Sequence, residues 1–147
     1  KRIKIIESNM TRKELINLIG SCDIFLSLHR SEGFGRLLAE SFKLGLDVIA
    51  TNWSGNIDFC YGPLYSPVSF LLREVKEGEY PYHKNQYWAE PNLKDAINKF
   101  RIIVFKRLEE GRPDFSIIEK YYERFSAEEC GKRYLNRLKE LGLSSNI

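Results

Sequence analysis

Gly33-Phe34-Gly35 joins two runs of opposite character. Before it stands Asp23-Ile24-Phe25-Leu26-Ser27-Leu28, apolar enough for the middle of a parallel sheet. After it, Leu37 to Leu44 alternates apolar and polar residues at helical spacing. Glycines on both sides of one aromatic residue permit a sharp backbone bend and a close approach to other groups. The chain is therefore expected to run strand, glycine turn, helix at this point. One acid, Glu32, stands at the turn, and a second, Glu40, stands eight positions on. Eight positions is slightly over two helical turns, so the two acids face nearly the same side.

The neighbouring segments extend this unit. Ile3 to Ile6 reads as a short buried strand. Thr11-x-x-Glu14 is a capping box that opens a helix through about Cys22, with Leu15, Leu18 and Ile19 as its stripe. Gly45 ends the helix that follows the glycine turn, and Asp47 to Thr51 reads as the next buried strand. Ser54-Gly55-Asn56 begins a short helix or turn. Strands alternating with helices of this length predict an α/β fold: a Rossmann-like, mostly parallel sheet flanked by helices. Residues 62–91 hold Pro63, Pro67, Pro81 and Pro91 and read as a long irregular insertion, with Ser69 to Leu72 as an edge strand. Helical spacing returns from Asn92 to about Leu108 and from Phe115 to Phe125. A last helix starts at Ser126-x-x-Glu129, with Cys130, Tyr134, Leu138 and Leu141 as its stripe. The expected division is an α/β domain over 1–125 and a C-terminal helix over 126–147.

Composition narrows the function classes. Hydrophobic residues at 43% fit a globular core rather than disorder. A net charge of +3 with interspersed signs is too mild to argue for nucleic acid. Cys22, Cys60 and Cys130 are odd in number and lack metal-ligand spacing, so they read as thiols of a reducing cytoplasm. No apolar run reaches membrane-span length, and no signal peptide is visible. Lys1 in place of an initiator methionine reads as a fragment or processed chain.

The turn itself suggests a ligand. Unpaired amides and the dipole at a helix N-terminus attract anions, so a diphosphate finds a seat at Gly33 and Gly35. Ligands of open α/β sheets collect beyond the carboxyl ends of the strands, where this turn lies. Carboxylates accept hydrogen bonds from hydroxyls, so Glu32 suits a sugar and Glu40 a ribose diol.

The ordered motifs resemble a known family. Ser31-Glu32-Gly33-Phe34-Gly35 through Glu40, then Leu44-Gly45-Leu46-Asp47-Val48-Ile49-Ala50-Thr51, resembles the family-4 retaining glycosyltransferases of GT-B fold, with their Glu-x7-Glu signature. Ser54-Gly55-Asn56-Ile57-Asp58-Phe59, Gly78-Glu79-Tyr80-Pro81 and Gln86-Tyr87-Trp88-Ala89-Glu90-Pro91 are similar to bacterial mannosyl- or rhamnosyltransferase-like members. The resemblance implies the C-terminal, donor-binding part of such an enzyme, with a partial nucleotide-sugar-binding domain over 1–125 and a helix over 126–147 that packs on a missing N-terminal domain. Glu32 would lie at the donor sugar as the catalytic residue. Gly33, Phe34 and Gly35 would face sugar and diphosphate, and Glu40 would take the ribose. Ser54 and Gly55 would border the same crevice, and His29 at the strand end would be a further donor contact. Asp47, where the family often has proline, and Arg36, at an often apolar position, are departures. Asp47 is expected to alter loop stiffness and not chemistry.

The implied reaction moves a hexose from a nucleoside-diphosphate sugar to a polysaccharide or lipid-linked acceptor, with retention and without metal or other cofactor. Implied partners are the donor, the acceptor and a missing N-terminal domain, with no nucleic acid. The implied location is cytoplasmic, at most peripheral at the inner membrane face, and this chain alone is expected to be inactive. An exposed sheet edge is expected to favour self-association. The rival reading is a non-catalytic nucleotide-sugar-binding or assembly module of the same fold; a third is a GT-B relative such as a nucleotide-sugar epimerase. Blander readings stand beside the site assignments. His29 as a structural histidine, Arg30 and Arg36 as solvated cations, and Trp53, Trp88 and the tyrosines from Tyr80 to Tyr87 as packing come ahead of ligand contact.

Overall fold

The computed structural model describes residues 2–123 and 126–143. The chain falls into two units, Lys1–Arg112 and Pro113–Ile147. The domain boundary expected after residue 125 falls on residues outside the described ones.

In the first unit, helix α1 spans Arg12–Gly20. Its capping box forms: the Thr11 backbone N–H donates to Glu14 Oε2 at 2.8 Å, and Glu14 N–H donates back to Thr11 Oγ1 at 3.3 Å. Strand β1 (Ile24–Ser27), helix α2 (Arg36–Lys43) and strand β2 (Asp47–Thr51) make a βαβ unit. Strand β3 (Tyr65–Val68) completes a parallel sheet of order β1-β2-β3. Phe25 lies beside Val48, and Thr51 lies beside Val68. All five residues of β2 are buried, as befits a parallel strand covered on both faces. The chain turns out of α2 through Gly45, whose φ of 79° is left-handed.

Ile3 to Ile6 departs from expectation: the segment forms no strand, and Ile3 and Ile5 are each 79% exposed. An apolar run supplies propensity, but a strand also needs a neighbour to pair with. This one pairs with nothing among the described residues.

Residues 62–91 are also more ordered than expected. They hold β3, then β4 (Phe70–Glu74) and β5 (Tyr87–Pro91), an antiparallel pair with Leu72 beside Ala89 and Arg73 beside Trp88. The edge strand expected at Ser69 to Leu72 is largely met by β4, whereas prolines hide β3 and β5 from a sequence reading. Pro67 is tolerated because β3 is an edge, and Pro91 stands at the end of β5.

Helix α3 (Leu93–Glu110) packs against β2 and β3, and its Ala96 and Ile103 close a core with Ile49 and Val68. Asn92 caps it by accepting from the amides of Lys94 and Asp95. Asp95 ties the first turn of α3 to the sheet, accepting from Ser69 N–H at 2.7 Å and from Lys99 Nζ at 2.6 Å. These bonds, Lys99 first, hold the Asp95 carboxyl down at about 2. A carboxyl lowered on folding adds stability above its unfolded value, near 4, and that contribution disappears as pH falls through the folded value. The urea midpoint is therefore expected to drop between about pH 4 and pH 2, and Asp95→Asn is expected to flatten that drop. A slope unchanged by the substitution would exclude Asp95 as a source.

One anchor was not expected. Asp47, at the start of β2, is buried and paired with Arg107 of α3. Arg107 Nη2 donates to Asp47 Oδ1 at 2.8 Å and Nε donates to Oδ2, while Nη1 reaches Gly111 O at 3.2 Å. Asp47 thus fastens the sheet to α3 rather than setting the stiffness of a loop.

In the second unit, Asp114 caps α4 (Phe115–Tyr122), accepting from Ser116 N–H at 3.0 Å. Ser126 caps α5 (Ala127–Glu140), accepting from Glu129 N–H at 3.1 Å. Phe125, the expected end of α4, lies outside the described residues. Within the expected stripe of α5, Cys130 and Leu138 are half-buried, whereas Tyr134 and Leu141 are exposed. No helix among the described residues is long and apolar enough to cross a membrane.

Candidate functional site

Two loops meet beyond the carboxyl ends of β1 and β2. The first runs from Leu28 to Gly35, and the second from Asn52 through a single 3-10 turn, Gly55–Asp58. Backbone bonds lock them together. Glu32 N–H donates to Ser54 Oγ at 2.7 Å, and Gly55 N–H donates to Glu32 O at 3.0 Å. Gly55 has no room for a side chain: a Cβ there would lie 1.9 Å from Gly33 O. Ser54 adopts φ 71° and ψ −150°, a region left almost entirely to glycine and costing about 1–3 kcal/mol. The two bonds to Glu32 hold it there.

His29 and Asn56 tie the same loops from beneath. Asn56 is fully buried and donates through Nδ2 to Thr51 O at 3.0 Å, which leaves Oδ1 as an acceptor. His29 Nε2 lies 3.1 Å from Asn56 Oδ1 and 3.2 Å from Trp53 O. Both neighbours are acceptors, so Nε2 carries the proton, and Nδ1 accepts from Ser27 Oγ at 3.0 Å. Both ring nitrogens of His29 are thus engaged inside the fold. Cys60 is buried beside this framework, and burial pushes its thiol up to about 12, where it is inert.

The turn itself stays open. Gly33 is exposed, and a Cβ there would meet nothing within 4 Å. Gly35 has φ 86°, and it begins α2 without any side-chain cap. The leading amides of α2 are therefore available to an external acceptor. Phe34 is half-exposed, and its ring lies 4.6 Å from that of Phe59. Glu32 is half-buried and its carboxylate takes no hydrogen bond or ion pair among the described residues. It lines a hollow of about 300 Å³ with Ser27, Gly35 and Arg36.

Glu40 is differently placed. Arg12 of α1 grips it with two bonds, Nη1 to Oε2 at 2.7 Å and Nη2 to Oε1, and Arg36 Nε stands 3.7 Å away. The Arg12 hydrogen bond, the largest influence, holds the Glu40 carboxyl below its ordinary value. A carboxylate has about four lone-pair sites. Glu40 can therefore receive a hydroxyl while it fastens α1 to α2.

Sequence reasoning missed a second wall. The β4–β5 hairpin docks on the first loop, with Ala89 N–H donating to Arg30 O at 3.0 Å. Arg30 Nε and Nη2 donate to Glu90 at 2.9 and 3.1 Å, and Arg73 Nε reaches the same carboxylate at 3.4 Å. Both guanidinium groups lie against Trp88, 4.9 and 4.8 Å from the ring centroid. Arg73 also bonds Glu79 at 2.7 and 2.8 Å, holding that carboxyl at about 2. Arg30 is thus part of a latch between loop and hairpin. Arg30 and Glu90 are 60 positions apart, and no local signal joins them.

The parallel sheet, the bare turn at a strand's carboxyl end and the uncapped helix behind it define a Rossmann-like α/β domain. Residues 1–60 match the family model of the glycosyl transferases group 1. The match covers α1, β1, the glycine turn, α2, β2 and the 3-10 turn, so this part of the chain is similar to that family. No curated protein and no solved structure matches the chain.

Proposed function

We propose that this chain is the donor part of a retaining, family-4-like glycosyltransferase. It would seat a nucleoside-diphosphate sugar from which a hexose passes to a polysaccharide or lipid-linked acceptor. The observation that carries this reading is the turn at Gly33-Phe34-Gly35. It is bare, it opens onto uncapped helix amides, and it is clamped from behind by Ser54 and Gly55. The diphosphate takes the leading amides of α2, with Arg36 beside it, in place of a metal ion. Glu32, whose carboxylate has no partner among the described residues, takes hydroxyls of the donor sugar and stabilises positive charge as the glycosidic bond loosens. Glu40 receives the ribose while bound to Arg12. His29, Ser54 and Gly55 hold the turn in shape and act on the donor through it.

Saturation-transfer NMR on the chain with UDP, GDP and their sugars tests this. Transfer to ribose and sugar protons is the expected result, with the sugar signal reduced in Glu32→Ala and the ribose signal retained. Silence with every nucleotide would overturn the reading.

A further inference from the structure

We propose that the hollow between the glycine turn and the tip of the β4–β5 hairpin is a subsite for a neutral pyranose ring of the acceptor saccharide. Two hollows flank the turn, and they differ in chemistry. The one beside α2 carries Glu32 and Arg36. The other, of about 550 Å³, is lined by Gly33 and Ser31 on one side and by Tyr80, Tyr82, Tyr87 and Trp88 on the other. No charged residue among the described ones lines it. Such a wall offers no cation to a diphosphate, whose charge would lose water without an opposite charge to offset it.

It suits a sugar ring. A pyranose presents an apolar C–H face and a rim of hydroxyls. Aromatic side chains cover the first and phenol, amide and indole groups meet the second. Tyr82 is 92% exposed, and its φ of 58° and that of 60° at Asn85 are conformations L residues rarely adopt. The loop thus spends conformational energy to display an aromatic ring to solvent. Trp88 forms part of the wall, stiffened by the guanidinium groups of Arg30 and Arg73 packed against its ring. The open space beside Gly33 joins this hollow to the turn where the donor is placed. The word acceptor rests on the proposed donor site; the ligand class rests on the lining alone.

The test uses the 147-residue chain itself. Saturation-transfer NMR is run with methyl glucoside, methyl galactoside, methyl mannoside and maltotriose, and separately with UDP and GDP. At least one glycoside is expected to show transfer to its ring C–H protons. Tyr80→Ala and Tyr82→Ala are each expected to reduce it about fivefold while the nucleotide signal and circular dichroism stay unchanged. Saturating UDP or GDP is expected to leave the glycoside signal in place, and a UDP- or GDP-sugar is expected not to displace it. No glycoside transfer, or transfer indifferent to both tyrosines, would overturn the subsite. Displacement by a nucleotide sugar would assign the hollow to the donor's own sugar and overturn the acceptor assignment. Tyrosine-dependent glycoside transfer beside nucleotide silence would keep the subsite and overturn the donor reading instead.

Discussion

Arg107→Met is expected to lower the free energy of unfolding by about 3–5 kcal/mol, read from urea titration at neutral pH. The side chains of Arg107 and Asp47 are only 13% and 5% exposed, and the substitution strands the Asp47 carboxylate at the start of the central strand. Most of the loss comes from that orphaned charge and little from the pair itself. Asp47→Leu combined with Arg107→Met is therefore expected to recover most of the stability, because an apolar pair of similar size leaves nothing unsolvated. A loss below about 1 kcal/mol in the single variant would show that water reaches Asp47 and that the pair is no anchor.

Gly55→Ala is expected to be as severe, at about 3 kcal/mol, for a steric reason. The new methyl would stand 1.9 Å from Gly33 O and 2.6 Å from Gly33 C, and both are backbone atoms with no rotamer to escape into. The loops must part, and the bonds from Glu32 N–H to Ser54 and from Gly55 N–H to Glu32 O go with them. Gly33→Ala is the matched control. It meets nothing within 4 Å, and its effect on stability is expected to stay within about 0.5 kcal/mol. Equal unfolding midpoints for the two variants would remove the clamp from the account. Intact folding of Gly33→Ala also permits a separate reading of nucleotide binding.

Local chemistry was legible in the sequence, and long-range chemistry was not. Thr11 and Glu14 announce their capping box because both partners lie within one turn. The glycine turn announces itself because the backbone requirement and the residue that meets it coincide at Gly35. Strand β2 was legible because burial on both faces demands an unbroken apolar run. The Asp47–Arg107 pair joins residues 60 positions apart, and nothing near Asp47 distinguishes a buried carboxylate from a loop acid. The same holds for Arg12 and Glu40, 28 positions apart, which is why Glu40 reads from sequence as an unencumbered ligand group. Strands β3 and β5 were obscured for a different reason. Proline argues against central strands, and edges escape that argument only after the sheet order is known. Ile3 to Ile6 shows the converse: strong strand propensity does not supply a pairing partner.

The hairpin closes on itself before its tip begins. Val75 N–H donates to Gln86 O at 2.9 Å, just beyond the last paired rungs of β4 and β5. Everything from 76 to 85 therefore hangs from a finished stem. Lengthening such a segment costs little, since closure entropy grows only with the logarithm of length. Apart from Glu79, which Arg73 holds, that tip can be exchanged as a cassette that leaves the parallel sheet and its buried anchor unaltered, so the tyrosines of the proposed subsite can vary there without being tested against the need to fold.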